Sequence, residues 1–224
     1  MRWPIAIQVP EPKSAFQCRA APIPSVACRN VRVRITIVAL LIGSFDAGKG
    51  VSTTPTMAAL TKEEVIAQLQ KEVRILLHLA GKVDRAALDY RPTPKQRSTI
   101  ELLRYLVVMG PSLTRSIKAG GFDVERWQAD AAAANAAGFD QILTMIEKQS
   151  AEYADLLGPW SDADFRGEIE MFGRKATRGS LLLELVLNGH AAYRTQLFCY
   201  LKSCGRDELN TMNLWQGIDA PMTV

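Results

Sequence analysis

Chemistry-bearing side chains are sparse in this chain, and the densest run of them is NGHAAYRTQL, residues 188–197. On a helix it sets His190, Tyr193 and Arg194 within little more than one turn of each other. TIELLRYLVVMG, residues 99–110, adds Tyr105 in an apolar setting, and His78 is the only other histidine. A guanidinium such as Arg194 could bind a carboxylate or phosphate, or equally cap an acid on a neighbouring helix. Buried tyrosines usually fill space while their hydroxyls find one partner. His190 is expected to be partly buried and hydrogen-bonded between helices. His78, on a charged helix side with Lys71 and Arg74, reads as a solvated surface group.

GSFDAGKG, residues 43–50, has the spacing of a phosphate loop, in which backbone amides and a lysine cradle phosphates and the next Ser/Thr ligates magnesium. Gly50 stands where that hydroxyl is needed, Pro55 falls where the following helix should run, and no strand ending in Asp follows at a suitable distance. A chance match is the better account. Cys18, Cys28, Cys199 and Cys204 form no CxxC and no zinc-type spacing, which gives no reason to invoke a disulfide. A reducing cytoplasm is the expected location.

A chain of 224 residues is long enough for one well-buried core or one domain with an appendage. With 48% apolar and 22% charged residues it has an ordinary globular composition. The net charge of +4 is unevenly spread: residues 1–56 hold seven basic and two acidic residues, which leaves 20 basic against 21 acidic in 57–224. The body is therefore nearly neutral, and no nucleic-acid or anionic-membrane partner is expected. Residues 1–56 also carry six of the 11 prolines. VRVRITIVALLIG, residues 31–43, is too short to span a bilayer, which takes about 20 apolar residues. As a signal peptide it has an unusually long preceding region. Met57 reads as the functional start. The extension 1–56 is then either a targeting piece or non-native sequence from a mis-assigned start, irregular and dispensable for folding, with the domain at 57–224.

From Met57 onward the chain reads as four helices. A capping box at Thr61 and Glu64 opens the first, running to about Val83, with Val65, Leu69, Val73, Leu76 and Ala80 as its buried stripe. A second box at Ser98 and Glu101 opens the next, which Gly110-Pro111 should bend and Gly120-Gly121 should end. DVERWQADAAAANAAG reads as a long connection, partly helical through its alanines. The third helix runs from about Phe139 to Leu157. GEIEMFGRKATRG alternates around Gly173 as a short hairpin or extended turn. The last helix, about Ser180 to Ser203, is apolar almost all round in SLLLELVLNG, as a central buried helix would be. Leu214 and Trp215 in the tail should dock on the bundle.

In their order and spacing, LDYRPTPKQRSTIELLRYL, the extended turn and the apolar last helix with YRTQL resemble the DinB-like superfamily over about Leu60 to Asp219. The resemblance implies an all-α fold: a DinB-like four-helix bundle with a long crossover between helices 2 and 3. Many members bind a divalent metal through one histidine on the second helix and HxxxHRGQ on the fourth, and better-understood relatives use it in thiol-dependent transfer, isomerisation or hydrolysis. Arg194, Thr195, Gln196 and Leu197 match the RGQL end. The three ligand positions become Tyr105, Gly189 and Tyr193, so no cofactor is expected, with a divalent metal as the alternative. His190 is rotated about 100° from position 189 and cannot simply replace a ligand there. The vacated site becomes a candidate core pocket for an organic guest, lined by Tyr105, His190, Tyr193 and Arg194. Two functions follow from the resemblance. One is a small-molecule-binding or homodimeric interaction module. The other is a divergent metal-dependent, thiol-dependent transferase or hydrolase.

Overall fold

Helix α1 (Lys62–Ala80) starts where reciprocal capping satisfies its first amides. Thr61 Oγ1 accepts from the Glu64 amide at 3.2 Å, and the Glu64 carboxylate accepts from the Thr61 amide at 2.7 Å. All five residues of the expected stripe are buried. The computed structural model describes residues 60–220. The expectations for residues 1–56, including the phosphate-loop spacing and the apolar run, lie outside the described residues.

Helix α2 (Thr99–Ala119) repeats the device with Ser98 and Glu101 and ends at Gly120, whose φ of 90° is the left-handed conformation glycine tolerates. It runs on through Pro111. Proline has no amide, so the carbonyl four residues back loses its helical donor. A neighbouring helix, α4 (Phe139–Leu157), supplies a replacement: Gln149 Nε2 donates to the carbonyls of Leu106 at 2.9 Å and Val107 at 3.2 Å.

The long connection between these helices is itself a helix, α3 (Val124–Ala136), capped by Asp123 and packed on α2. Its burial is slight, with Ala134 the buried position, which is why its sequence shows little amphipathic signal. Beyond α4 come the short α5 (Asp162–Arg166) and a hairpin of β1 (Glu168–Met171) and β2 (Arg174–Thr177), with Ile169 paired to Ala176. Both turn residues, Phe172 and Gly173, have positive φ, as a two-residue hairpin turn requires.

The last bundle helix is not regular. It comprises α6 (Arg178–Leu181), a π-helical stretch at Leu182–Leu187, and α7 (Asn188–Ser203). The Asn188 amide bonds to the Leu183 carbonyl five residues back. Each such wide turn holds an extra residue and re-aims everything that follows. An all-round apolar sequence gives no phase from which that rotation could be read.

Helices α1 and α2 each pack on both α4 and α7, so α1 and α2 occupy one diagonal of the bundle and α4 and α7 the other. Leu69, Leu76, Leu102, Leu106, Ile142, Ile146 and Leu197 fill the centre. Each such side chain, fully buried, contributes roughly 1.5–3 kcal/mol. Among the described residues no helix is long and apolar enough to cross a membrane.

The C-terminal helix α8 (Thr211–Gln216) docks on α1, but not through the tryptophan. Trp215 is 57% exposed, whereas Asn213 is buried. Asn213 Nδ2 donates to the Ile218 carbonyl at 3.1 Å and to Asp219 Oδ1 at 2.8 Å, and lies 3.1 Å from His78 Nε2. This corrects the expectation for His78, whose side chain is only 16% exposed beneath this segment. Its pKa is lowered mainly by burial, against the opposing pull of Asp219, with Lys82 adding to the fall.

Candidate functional site

The residues singled out on the last helix separate into three groups. Helix α7 turns His190 and Arg194 inward, where both are almost fully buried, and leaves Tyr193 half-buried at the edge.

His190 Nε2 lies 2.7 Å from the Tyr153 hydroxyl, which reaches it from α4 across the bundle diagonal. Gly110 on α2 makes the reach possible. A Cβ there would collide with the Tyr153 hydroxyl and lie 2.5 Å from His190 Nε2. Burial pushes the His190 pKa down to about 4, with the Arg194 charge adding to the fall, and burial raises the Tyr153 phenol. Both groups are therefore neutral near pH 7, and the phenol donates to Nε2. The proton on His190 then sits on Nδ1, which has no hydrogen-bond partner among the described residues.

Arg194 is engaged with Glu72 of α1: Nε donates to Glu72 Oε2 at 2.5 Å and Nη2 to Oε1 at 3.3 Å. Its remaining fork nitrogen donates to the Leu214 carbonyl, and its guanidinium lies 5.4 Å from the Trp215 ring centroid. Of the two roles the sequence allowed, this is the capping of an acid on a neighbouring helix. It also ties the C-terminal segment to the bundle.

Tyr105 and Tyr193 meet edge-to-face with ring centroids 4.9 Å apart. Trp127 of α3 extends the array, 6.2 Å from Tyr105, and Phe122 continues it at 5.5 Å from Trp127. The Arg97 guanidinium stands 4.1 Å from the Tyr105 ring centroid. Tyr105, Trp127 and Tyr193 are all half-buried and Arg97 is exposed. Burial is the main cause of a strongly raised Tyr105 pKa. The neighbouring Tyr193 phenol adds to the rise and Arg97 opposes it.

The donor set at the three positions that the resemblance equates with metal ligands, Tyr105, Gly189 and Tyr193, does not fit a histidine-type metal centre. Phenols must lose a proton to bind a divalent ion, and the setting of Tyr105 makes that loss harder than in water. Position 189 is tightly packed: a Cβ added to Gly189 would meet Met109 Sδ at 3.0 Å and Cε at 3.1 Å, so the Met109 side chain would have to give by a few tenths of an ångström. Among the described residues no group of three or more His, Cys, Asp or Glu is arranged to hold a metal ion.

The structure thus joins Tyr105 to Tyr193, gives His190 to Tyr153, and gives Arg194 to Glu72. Tyr153, Glu72, Trp127 and Arg97 were not singled out from the sequence. Glu72 had a signal: it lies in the three- and four-residue register of the Leu69–Leu76 stripe, and an acid facing a core needs a partner. Tyr153 falls in the same apolar helical register as Ile142 and Ile146, where it reads as packing, and nothing local marks Arg97 or Trp127.

No protein-family model matches the chain, and no curated protein matches it by sequence. Among solved structures it is similar to the DinB-like protein YjoA of Bacillus subtilis. The TM-score is 0.53 at 20% identity, covering 68% of this chain and 96% of that one. It is also similar to a structure from Exiguobacterium sibiricum described under the DinB family, with a TM-score of 0.53 at 21% identity, covering 67% of this chain and 96% of that one. These likenesses show the fold: the described domain is an all-α, DinB-like four-helix bundle.

Proposed function

Starting from the DinB-like fold of the described domain, we propose that this protein is a small-molecule-binding module that works without the metal centre its fold resemblance implies. The observation that carries the proposal is the chemistry at the three ligand positions: a half-buried phenol pair at 105 and 193, and a glycine packed against Met109 at 189. Imidazole offers a neutral donor near pH 7, whereas a phenol starts near pKa 10 and is pushed higher here. His190 and Arg194 are held by internal partners, so the side chains left to receive a guest are Tyr105, Tyr193, Trp127 and Arg97. The same reading carries a cytoplasmic location and a second copy of the chain as partner. The exposed thiol of Cys199 accords with a reducing compartment.

Elemental analysis of protein purified without chelator is the test. The expected result is far less than one equivalent of zinc, nickel, manganese or iron per chain. Tyr105→His, Gly189→His and Tyr193→His combined should then acquire metal, more completely when Met109→Ala makes room at position 189. About one metal per wild-type chain would reverse the reading in favour of a divergent metal-dependent transferase or hydrolase.

A further inference from the structure

We propose that the face formed by Arg97, Tyr105, Trp127 and Tyr193 binds a planar aromatic anion, an aryl carboxylate or its equivalent, with the anionic group on Arg97 and the ring against the aromatic array. The proposal rests on the binding-module reading above and names its ligand class.

Charge complementarity carries it. Among the described residues Arg97 has no carboxylate partner, unlike Arg91, whose guanidinium lies 3.2 Å from Glu101, or Arg194 on Glu72. Arg97 also stands immediately before the Ser98 N-cap, so the positive end of α2 adds to its field. The electrostatic neighbours acting on Tyr105 are that guanidinium and the Tyr193 phenol, with no carboxylate between them. A guanidinium fork held over a ring keeps its outward N–H groups free for a planar two-oxygen acceptor.

The aromatic side sets the rest of the ligand. Three rings from three different helices meet at 4.9 and 6.2 Å between centroids, with tilts of 68° and 64°. All three rings are half-buried, so part of each is left for a further flat ring, an arrangement in which aromatic pairs gain beyond simple burial. A quaternary ammonium would normally suit an aromatic cluster, but Arg97 already lies over Tyr105 and would repel it. Phosphate alone would forgo the rings. A flat ring bearing one negative group uses both halves of the face.

The experiment is equilibrium dialysis of the full chain against 2-naphthoate and, separately, its neutral isostere 2-naphthamide. The expected result is binding of the acid about tenfold more tightly than the amide, the ratio a single charge-assisted contact can supply. Arg97→Ala should bring that ratio close to one, Arg97→Lys should keep part of it, and Tyr105→Leu should weaken both ligands. Because Arg97 is exposed, unchanged circular dichroism is expected for its variants. Equal binding of acid and amide, unaffected by Arg97→Ala, would overturn the anion assignment while leaving a binding module in place. Binding of neither up to about 1 mM, a limit near 4 kcal/mol of affinity, would overturn this proposal, while the metal content of the wild type separately decides the reading on which it rests.

Discussion

The inner and outer sides of helix α7 differ in how they use polar groups. Inward, His190 bonds to Tyr153 and Arg194 to Glu72, each within a tightly enclosed setting. Outward, Tyr193 stacks on Tyr105 beside an arginine with no acid partner among the described residues. Buried polar groups must find partners because leaving them unmet costs more than the bond returns. Apart from His190 Nδ1, which has no partner among the described residues, the inner groups are therefore committed to the fold, whereas the outer phenols bond only each other and lie beside Arg97. Function is better sought where polar and aromatic groups remain uncommitted. On that ground the four-residue pocket expected from the sequence divides into an inward pair, His190 and Arg194, bonded within the bundle, and an outer pair, Tyr105 and Tyr193, to which the proposed function assigns the guest.

The sharpest way to break this division is at Arg194. The Glu72 side chain is only 10% exposed, so Arg194→Met would leave a carboxylate enclosed without its counterion. The expected loss is about 3–5 kcal/mol of unfolding free energy by urea titration, whereas Glu72→Met with Arg194→Met should recover most of it. A single variant costing under about 1 kcal/mol would show that Arg194 is not committed inward.

His190 provides a pH signature of the inner side. In the unfolded chain it titrates near 6.5, while in the fold it stays neutral down to about pH 4. Between those values the unfolded state binds more protons, so stability falls as pH drops through the window. The full effect is roughly 3 kcal/mol, complete below about pH 4 and absent above about 6.5. His190→Gln removes the titration. Urea midpoints at about pH 7 and pH 4.5 should therefore separate more for the wild type than for the variant, since both share the same carboxylates. Equal separations would mean that His190 is already protonated, or exposed, in the fold.

How much of this could be read from residues alone depends on how local each feature is. Both capping boxes and the α1 stripe were legible because they involve neighbours three or four apart. The hairpin was legible from alternation around Gly173. The π-helical stretch was not, since SLLLELVL is apolar almost all round, Glu184 apart, and carries too little phase to show it. The Tyr153–His190 bond was hidden for a different reason: it needs residues from two helices and a missing Cβ on a third, at Gly110. The tail showed the limit of reading by hydrophobicity, because the buried residue that meets α1 is Asn213, 3.1 Å from His78 Nε2, while Trp215 is 57% exposed. At the candidate site, Tyr105 and Tyr193 meet edge-to-face. Trp127 reaches them because α3 packs on α2, and Arg97 reaches Tyr105 from just before the Ser98 N-cap of α2.

The smallest effect is also the most direct comparison of the two sides, because it deletes the same atom from each. Tyr153→Phe removes the inner hydroxyl and leaves His190 Nε2 without its donor in a fully enclosed setting. That should cost about 1–3 kcal/mol. Tyr105→Phe and Tyr193→Phe together remove two outer hydroxyls but keep both rings and their edge-to-face contact. Water can replace what half-buried hydroxyls lose, so the pair should cost under about 1 kcal/mol in the same urea titration. Affinity for 2-naphthoate should be largely retained, because the rings and Arg97 make the proposed contacts, not the phenol oxygens. An outer pair as costly as the inner single change would mean the two tyrosines are structural after all, and would erase the distinction between the two sides of α7.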